Sequence, residues 1–437
     1  MINWKWLYPG MQVKRWILLL MVGVTVISLG VAYFLRDVYT VYTFPDWVYY
    51  ATLQFLDRSV RGAIFLIVGV ATIVVSLAKL NHSIVSVLLP PDTDDSLADR
   101  VHRHRIIKRG PKIVTIGGGT GMSMLLRGLK QYTGNLTAIV TVADDGGSSG
   151  RLRRELGILP PGDFRNCIAA LADAEPLMTE LLQYRFRVGD GLEGHSFGNL
   201  FLVAMSEVTG NFEEALRETS RVLAVRGQIL PSTLANVVLG AELAHGETVT
   251  GESRIGDSTN PIRRVWIEPE DSVAYPESVR AILEADMVVL GPGSLFTSVL
   301  PNLLVDGIRK ALRASSAVRV YVCNVATQPG ETAGFRVEDH VTALWEHVGQ
   351  DLFDYVLANN VIDYNFPETS KSEVVTLGDA NLSGVKIVLS DVVDPNRRLR
   401  HDPKKLAESL MRLYYDRLQF RSEPAVDRQK AEAAAAR

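Results

Sequence analysis

Two adjacent carboxylates, Asp144 and Asp145, followed by Gly146-Gly147-Ser148-Ser149-Gly150, are the residues of this chain best suited to chemistry. In a strand they would point to opposite faces, but in a loop both can converge. There they could hold Mg²⁺ against a diphosphate, with waters completing the octahedron. The glycine-serine run supplies N–H and hydroxyl donors beside the acids, which a merely solvated acidic turn would not need. Two further small-residue runs each follow an apolar, β-branched stretch. Gly117-Gly118-Gly119-Thr120-Gly121 follows Ile113 to Ile116, and Gly291-Pro292-Gly293-Ser294 follows Met287-Val288-Val289-Leu290. Glycines let the backbone turn tightly and bring its N–H groups close to an anion at a helix start. Gly118, Gly119, Thr120, Gly121, Ser148, Ser149, Gly293 and Ser294 (a candidate N-cap) are therefore candidate contacts of a phosphate or ribose.

Two more helix starts carry reactive side chains. In Pro160-Pro161-Gly162-Asp163-Phe164-Arg165-Asn166, Asp163 reads as an N-cap, with Arg165 and Asn166 in the first turn, in reach of a ligand. In Gly194-His195-Ser196-Phe197-Gly198-Asn199, His195 lies at or near the cap, where acid–base work or phosphate contact is feasible. Asn324 ends the apolar strand Tyr321-Val322-Cys323. The first glycine run is not a strict dinucleotide fingerprint, because the last glycine of G-x-G-x-x-G would fall at Met122 or Met124. Nor is it a Walker A loop, since no Gly-Lys-Ser/Thr follows. An NAD-linked dehydrogenase is thus a distant third reading. No Ser-His-Asp order or Cys-x-x-Cys pair points to a hydrolase or redox centre.

The elements that must position these residues are those of an α/β protein. Strands are expected at 113–116, 137–143, 286–290, 318–323, 354–358 and 385–389, most of them apolar on both faces, as central parallel strands are. Residues 163 to 240 read mostly as helices, and the alternation around His245-Gly246 reads as a β-hairpin. The expectation is a Rossmann-like, doubly wound, mostly parallel sheet with a helical insertion and a hairpin, its strand ends gathered along one crevice. A net charge of −3 gives no reason to expect nucleic-acid binding, and 47% hydrophobic residues are ample for a core. Two cysteines, Cys167 and Cys323, fit buried free thiols in a reducing compartment.

The N-terminus differs. Trp16 to Leu35 is a run of 20 uncharged residues, about 30 Å as a helix, and a second apolar run covers Ala63 to Ala78. Tyr39, Tyr42, Trp47, Tyr49 and Tyr50 suit an interfacial belt, and the basic residues Arg100 to Arg109 place both termini in the cytoplasm by the positive-inside rule. This divides the chain into a transmembrane hairpin of two helices (1–80), a juxtamembrane linker (81–110), one α/β domain (111–420) and a disordered tail (421–437).

Eight segments in one order, IGGGTG, TVADDGGSSGRLR, LPPGDFRN, GHSFGN, VRGQILPST, VLGPGSLFTS, YVCNVATQPGET and RHDPKKL, give the chain a specific resemblance. It resembles the YvcK-like gluconeogenesis factors of the CofD-like (2-phospho-L-lactate transferase) superfamily, from about Lys112 to about Leu410. The resemblance implies a Rossmann-like domain that binds a UDP-sugar such as UDP-GlcNAc, with a role in carbon allocation toward the cell envelope and in cell shape. In the transferase branch it implies a nucleotide-linked donor, a metal and a deazaflavin acceptor. Carried over by position, Gly118, Gly119, Thr120, Asp144, Asp145, Ser148, Arg165, Asn166, His195, Asn199 and Ser294 would face the ligand, and Arg400 would be a further diphosphate or sugar contact. The two open classes are a regulatory binding protein and a metal-dependent transferase with Asp144 and Asp145 on Mg²⁺ and His195 as a further catalytic candidate. The expected setting is a bacterial inner membrane, two-pass, with the C-terminal domain in the cytoplasm, beside envelope-synthesis proteins and with homo-oligomers possible. The resemblance is to ordinary members that are soluble, so it implies that the N-terminal hairpin is a departure.

Overall fold

The computed structural model describes residues 13–41, 45–88, 107, 109–173, 176–258, 260–363, 366, 371–378 and 382–422. The chain forms two compact units, Met1–Ile106 and Ile107–Arg437, and their boundary falls inside the expected linker. The expected tail beyond Ser422 and most of the basic flank before Arg109 lie outside the described residues.

In the first unit both apolar runs are helical, Val13–Val41 and Arg58–Leu88, with a short helix Asp46–Ala51 between them. The two-span hairpin is not what emerges. Among the described residues one stretch, Arg58–Ser76, is long and apolar enough to cross a bilayer, and none of it is buried. Among the described residues the first run gives a shorter apolar stretch, Met21–Arg36. The helix Arg58–Leu88 also runs eight residues into the expected linker.

The second unit is built on a seven-stranded sheet in the order β10-β9-β8-β7-β1-β2-β3. The strands are β1 (Ile113–Gly117), β2 (Leu136–Val140), β3 (Gln228–Pro231), β7 (Met287–Leu290), β8 (Val318–Val322), β9 (Tyr355–Asn359) and β10 (Lys386–Ser390). Every pairing in this sheet is parallel. Both faces of β1 and β7 are fully buried, which is why their sequences are continuous apolar runs. Six of the seven strands lie where the sequence places them. The seventh, β3, is only four residues long and ends in Pro231, which suits its edge position. A second sheet, β5-β4-β6, holds β4 (Val238–Leu243), β5 (Thr248–Thr250) and β6 (Ile262–Glu268), all antiparallel. The hairpin at Gly246 is present, with φ of +81° at the glycine. β6 adds a third strand. Cys167 and Cys323 are free and buried.

The order of the large sheet positions the site. β1, β2 and β3 step outward one way, and β7 to β10 step outward the other way from the opposite side of β1. The winding direction reverses between β1 and β7, and open α/β sheets bind ligands at the carboxyl ends of strands at such a switch point. The two glycine runs leave those two strand ends.

Candidate functional site

The two turns pack against each other through backbone. A Cβ on Gly121 would lie 2.6 Å from the Pro292 carbonyl oxygen, and one on Gly293 would lie 3.3 Å from the Gly118 oxygen. Gly119 and Gly291 have φ of +67° and +75°, a region that favours glycine. The buried Asn302 side chain fixes the first turn by donating to the Gly117 carbonyl at 3.1 Å. Together the turns floor an open cavity of about 340 Å³. Gly118, Gly119, Thr120, Gly121, Gly293, Ser294, Asn324 and Arg400 all line it, although they come from four distant parts of the sequence.

The walls are ordered by amides. Asn324 donates to the Gly293 carbonyl at 3.0 Å and to Gln328 Oε1 at 3.3 Å, and Gln328 donates to Ser294 Oγ at 2.8 Å. Ser294 is the N-cap residue of a π-helical turn, Leu295–Val299, but its side chain makes no capping bond. Its hydroxyl accepts from Gln328, so its own hydrogen is available to the cleft. The capping work falls to buried Glu331, which accepts from the Phe296 N–H at 3.2 Å and the Thr297 hydroxyl at 2.9 Å. Glu331 and Gln328 belong to the segment after β8 and had no local signal beyond the Pro-Gly turn between them.

The remaining predicted residues form a second group that does not line this cavity. Asp163 is not the N-cap of its helix, which starts at Pro161 with proline favoured in the first turn. Its carboxylate instead accepts from the Gly119 N–H at 2.7 Å. One donor of the first glycine turn is thus already taken, and Arg165 and Asn166 follow two and three residues on in the same helix. Asp144 and Asp145 diverge. Asp144 accepts from the Gly146 N–H at 2.9 Å on its own loop. Asp145 accepts from the Ser253 N–H at 2.9 Å, at the start of the short helix Glu252–Gly256. Buried Arg153 ties their loop down by donating to the carbonyls of Val142, Asp144 and Val237 and to Asn236 Oδ1.

His195 and Asn199 meet Ser148. Ser148 Oγ and His195 Nδ1 are 3.0 Å apart, and Asn199 donates to Ser148 Oγ at 3.1 Å. Ser196, not His195, caps the helix Phe197–Thr209 by accepting from the Asn199 N–H. Arg165 donates to Ser196 Oγ and Asn199 Oδ1, and also to Asn166 Oδ1. Burial, then Arg151, lowers the pKa of His195, keeping the ring neutral near pH 7. Ser149 hydrogen-bonds Asp144.

Carboxylates crowd the ground between the two groups. Burial and then Asp144 push Asp163 up to about 6. Burial, then Asp144, Asp145, Asp163 and Glu331, push Glu252 up to about 8. Among the described residues no group of three or more His, Cys, Asp or Glu side chains is arranged to hold a metal. Mg²⁺ bound with a diphosphate needs only one or two carboxylates, the rest being water and phosphate, and the mutual repulsion of these acids suits a cation. Asp144 is the better candidate, since its charge is the one of the pair that acts on Asp163, the carboxylate bonded to the first glycine turn.

The pH consequence has a definite sign. An acid whose folded pKa lies above its ordinary value binds a proton more tightly when folded, so stability falls as pH rises through that interval. For Glu252 the loss begins near 4.5 and is complete above about 8. Glu252→Gln is expected to match the wild type near pH 4.5 and to melt several degrees higher at pH 8.5, a gain on the order of 1–3 kcal/mol. Thermal melts of both proteins at the two pH values check this.

Comparison with known proteins adds the following. The model of the family described as 2-phospho-L-lactate transferase CofD matches residues 113–393. A relative from Bacillus subtilis, named gluconeogenesis factor, is 47% identical over 310 residues, covering 69% of this chain and 98% of its own. A relative from Nostoc sp. that carries the gluconeogenesis-factor name is 48% identical over 424 residues, 94% of this chain and 92% of its own. That share is larger than residues 107–437 alone can supply, so the N-terminal region is not peculiar to this chain. A crystal structure of a UPF0052-family member from Bacillus halodurans superposes with a TM-score of 0.65 at 45% identity, covering 69% of this chain and 99% of that one.

Proposed function

This chain belongs to the CofD family, among relatives named gluconeogenesis factors, and we propose on that premise that its cleft binds a UDP-sugar and that the occupied protein acts as a regulator linking carbon metabolism to envelope synthesis and cell shape. The observation that carries the reading is the meeting of two glycine turns at the switch point, with Arg400 on the cavity wall. Backbone N–H groups at two helix starts and one guanidinium suit a diphosphate, and the amides of Asn324 and Gln328 offer directional partners for a base or sugar. Mg²⁺, when bound, would neutralise diphosphate charge, with Asp144 as its protein ligand.

Calorimetric titration of the full-length protein in detergent with UDP-GlcNAc, UDP-glucose and NAD, with and without Mg²⁺, tests the reading. At least one UDP-sugar is expected to bind and NAD is not. Failure of both UDP-sugars removes the proposal, whether or not NAD binds. Arg400→Ala is expected to weaken the UDP-sugar about 10- to 150-fold, the loss of one charge-assisted hydrogen bond of roughly 1.5–3 kcal/mol.

A transferase is the second reading, favoured by the crowded carboxylates beside the cleft. It predicts turnover of a nucleotide-linked donor that Asp144→Asn abolishes, whereas a regulator binds without turnover. We further propose that the N-terminal unit anchors the protein in the cytoplasmic membrane. Support comes from the exposed apolar helix Arg58–Ser76 and the basic residues that follow it. Recovery of the full-length protein in the soluble fraction of cells would end that idea.

A further inference from the structure

We propose that Arg165 marks a second anion site, distinct from the cleft between the glycine turns, that receives the phosphoryl group of a second ligand. The inference goes beyond the nucleotide-sugar reading and does not depend on it. Arg165 is only 9% exposed, yet among the described residues it forms no ion pair. Its partners are neutral: Ser196 Oγ at 2.6 Å, Asn199 Oδ1 at 3.1 Å and Asn166 Oδ1 at 2.9 Å. Its buried Nε has no partner at all. Asp163 and Asp144 act on it only at a distance; a guanidinium taken out of water with no carboxylate bonded to it is costly, and an arriving anion recovers part of that cost.

Its surroundings point the same way. Burial acts first on Arg165, and the strongest charge acting on it after that is another cation, Arg185, ahead of Asp163. Arg185 donates to the Gly194 carbonyl, and Arg151 also lies against Gly194, where a Cβ would be 2.9 Å from its Nη2. Neither Arg151 nor Arg185 forms an ion pair among the described residues. Two helix starts meet at the same point. Ser148 is the second residue of the helix Gly147–Leu156, Asn199 the third of Phe197–Thr209, and the two side chains are hydrogen-bonded. Arg165 is aimed at the second of these starts through Ser196 and Asn199. Helix N-termini favour anions, and three guanidiniums suit a doubly charged phosphoryl group better than a singly charged carboxylate. The Ser148, His195 and Asn199 chain then holds the floor of this site. A phosphoryl-bearing second ligand would make the protein respond to two metabolites together, or give a transferase its second substrate.

The test titrates full-length protein in detergent with inorganic phosphate, and in parallel with acetate, with and without saturating UDP-GlcNAc, following phosphate by ³¹P line broadening. Phosphate is expected to bind in both conditions and acetate at least tenfold more weakly. Arg165→Lys should weaken phosphate at least tenfold. Arg185→Gln, an exposed position where folding is not at stake, should weaken it at least fivefold. Complete displacement of phosphate by UDP-GlcNAc, or unchanged phosphate binding in Arg185→Gln, overturns the second site. Equal affinity for acetate overturns the phosphoryl assignment. Phosphate binding that depends on Arg185 while UDP-GlcNAc fails to bind would sink the nucleotide-sugar reading and leave this one standing.

Discussion

Gly121→Ala is expected to weaken UDP-sugar binding about 30-fold and to cost about 2 kcal/mol of stability. The added methyl would sit 2.6 Å from the Pro292 carbonyl oxygen, 2.9 Å from its carbonyl carbon and 3.2 Å from the Gly293 nitrogen. All three are backbone atoms, so the clash cannot be relieved by turning a side chain. The two turns must separate, and the spacing of their N–H groups changes with them. Gly256→Ala is the matched control, because nothing lies within 4 Å of the added atom there. It should bind as the wild type does. Titration of the three proteins side by side decides the point. Equal affinity in Gly121→Ala would mean that the contact between the turns is irrelevant to the ligand.

Glu331→Ala should cost about 2–4 kcal/mol. Glu331 is 6% exposed and serves two donors of the π-helical turn, the Phe296 N–H and the Thr297 hydroxyl. Alanine strands both in the interior and leaves a void as well. Glu331→Gln keeps an acceptor and should lose roughly 1 kcal/mol. Because this turn begins directly after Ser294, ligand affinity should fall in the same order. The urea midpoint, at unchanged slope, measures the first effect. A wild-type midpoint in Glu331→Ala would show that the turn stands without it.

What the sequence makes legible follows from how local the signal is. Strands β1, β2 and β7 to β10 are apolar runs that end at small residues, acids or polar turns, and they lie where those runs predict. β3 is short, half-exposed and closed by Pro231, so it carries no comparable run. β6 escapes because Arg263 and Arg264 interrupt its alternation. The cleft is legible because each glycine run directly follows its strand, and the switch point is then fixed by which strands neighbour β1. The fate of the acid pair is not legible. Asp145 is turned away by a backbone N–H 108 residues later in the chain, and no spacing rule reaches that far. Asp163 has a sound local reason to be a cap, but Pro161 starts the helix earlier and frees the carboxylate for the Gly119 N–H 44 residues before it. In the first unit the reading of two spans joins apolar length to an aromatic belt and a basic flank, and among the described residues only Arg58–Ser76 is long and apolar enough to cross a bilayer.

The most direct measurement is a crystal structure of the protein soaked with UDP-GlcNAc. The account predicts pyrophosphate density against the N–H groups of Thr120, Gly121 and Ser294, with the Arg400 guanidinium closing over it. Pyrophosphate density anywhere else on the molecule, with the space between the two turns still filled by solvent, would contradict it.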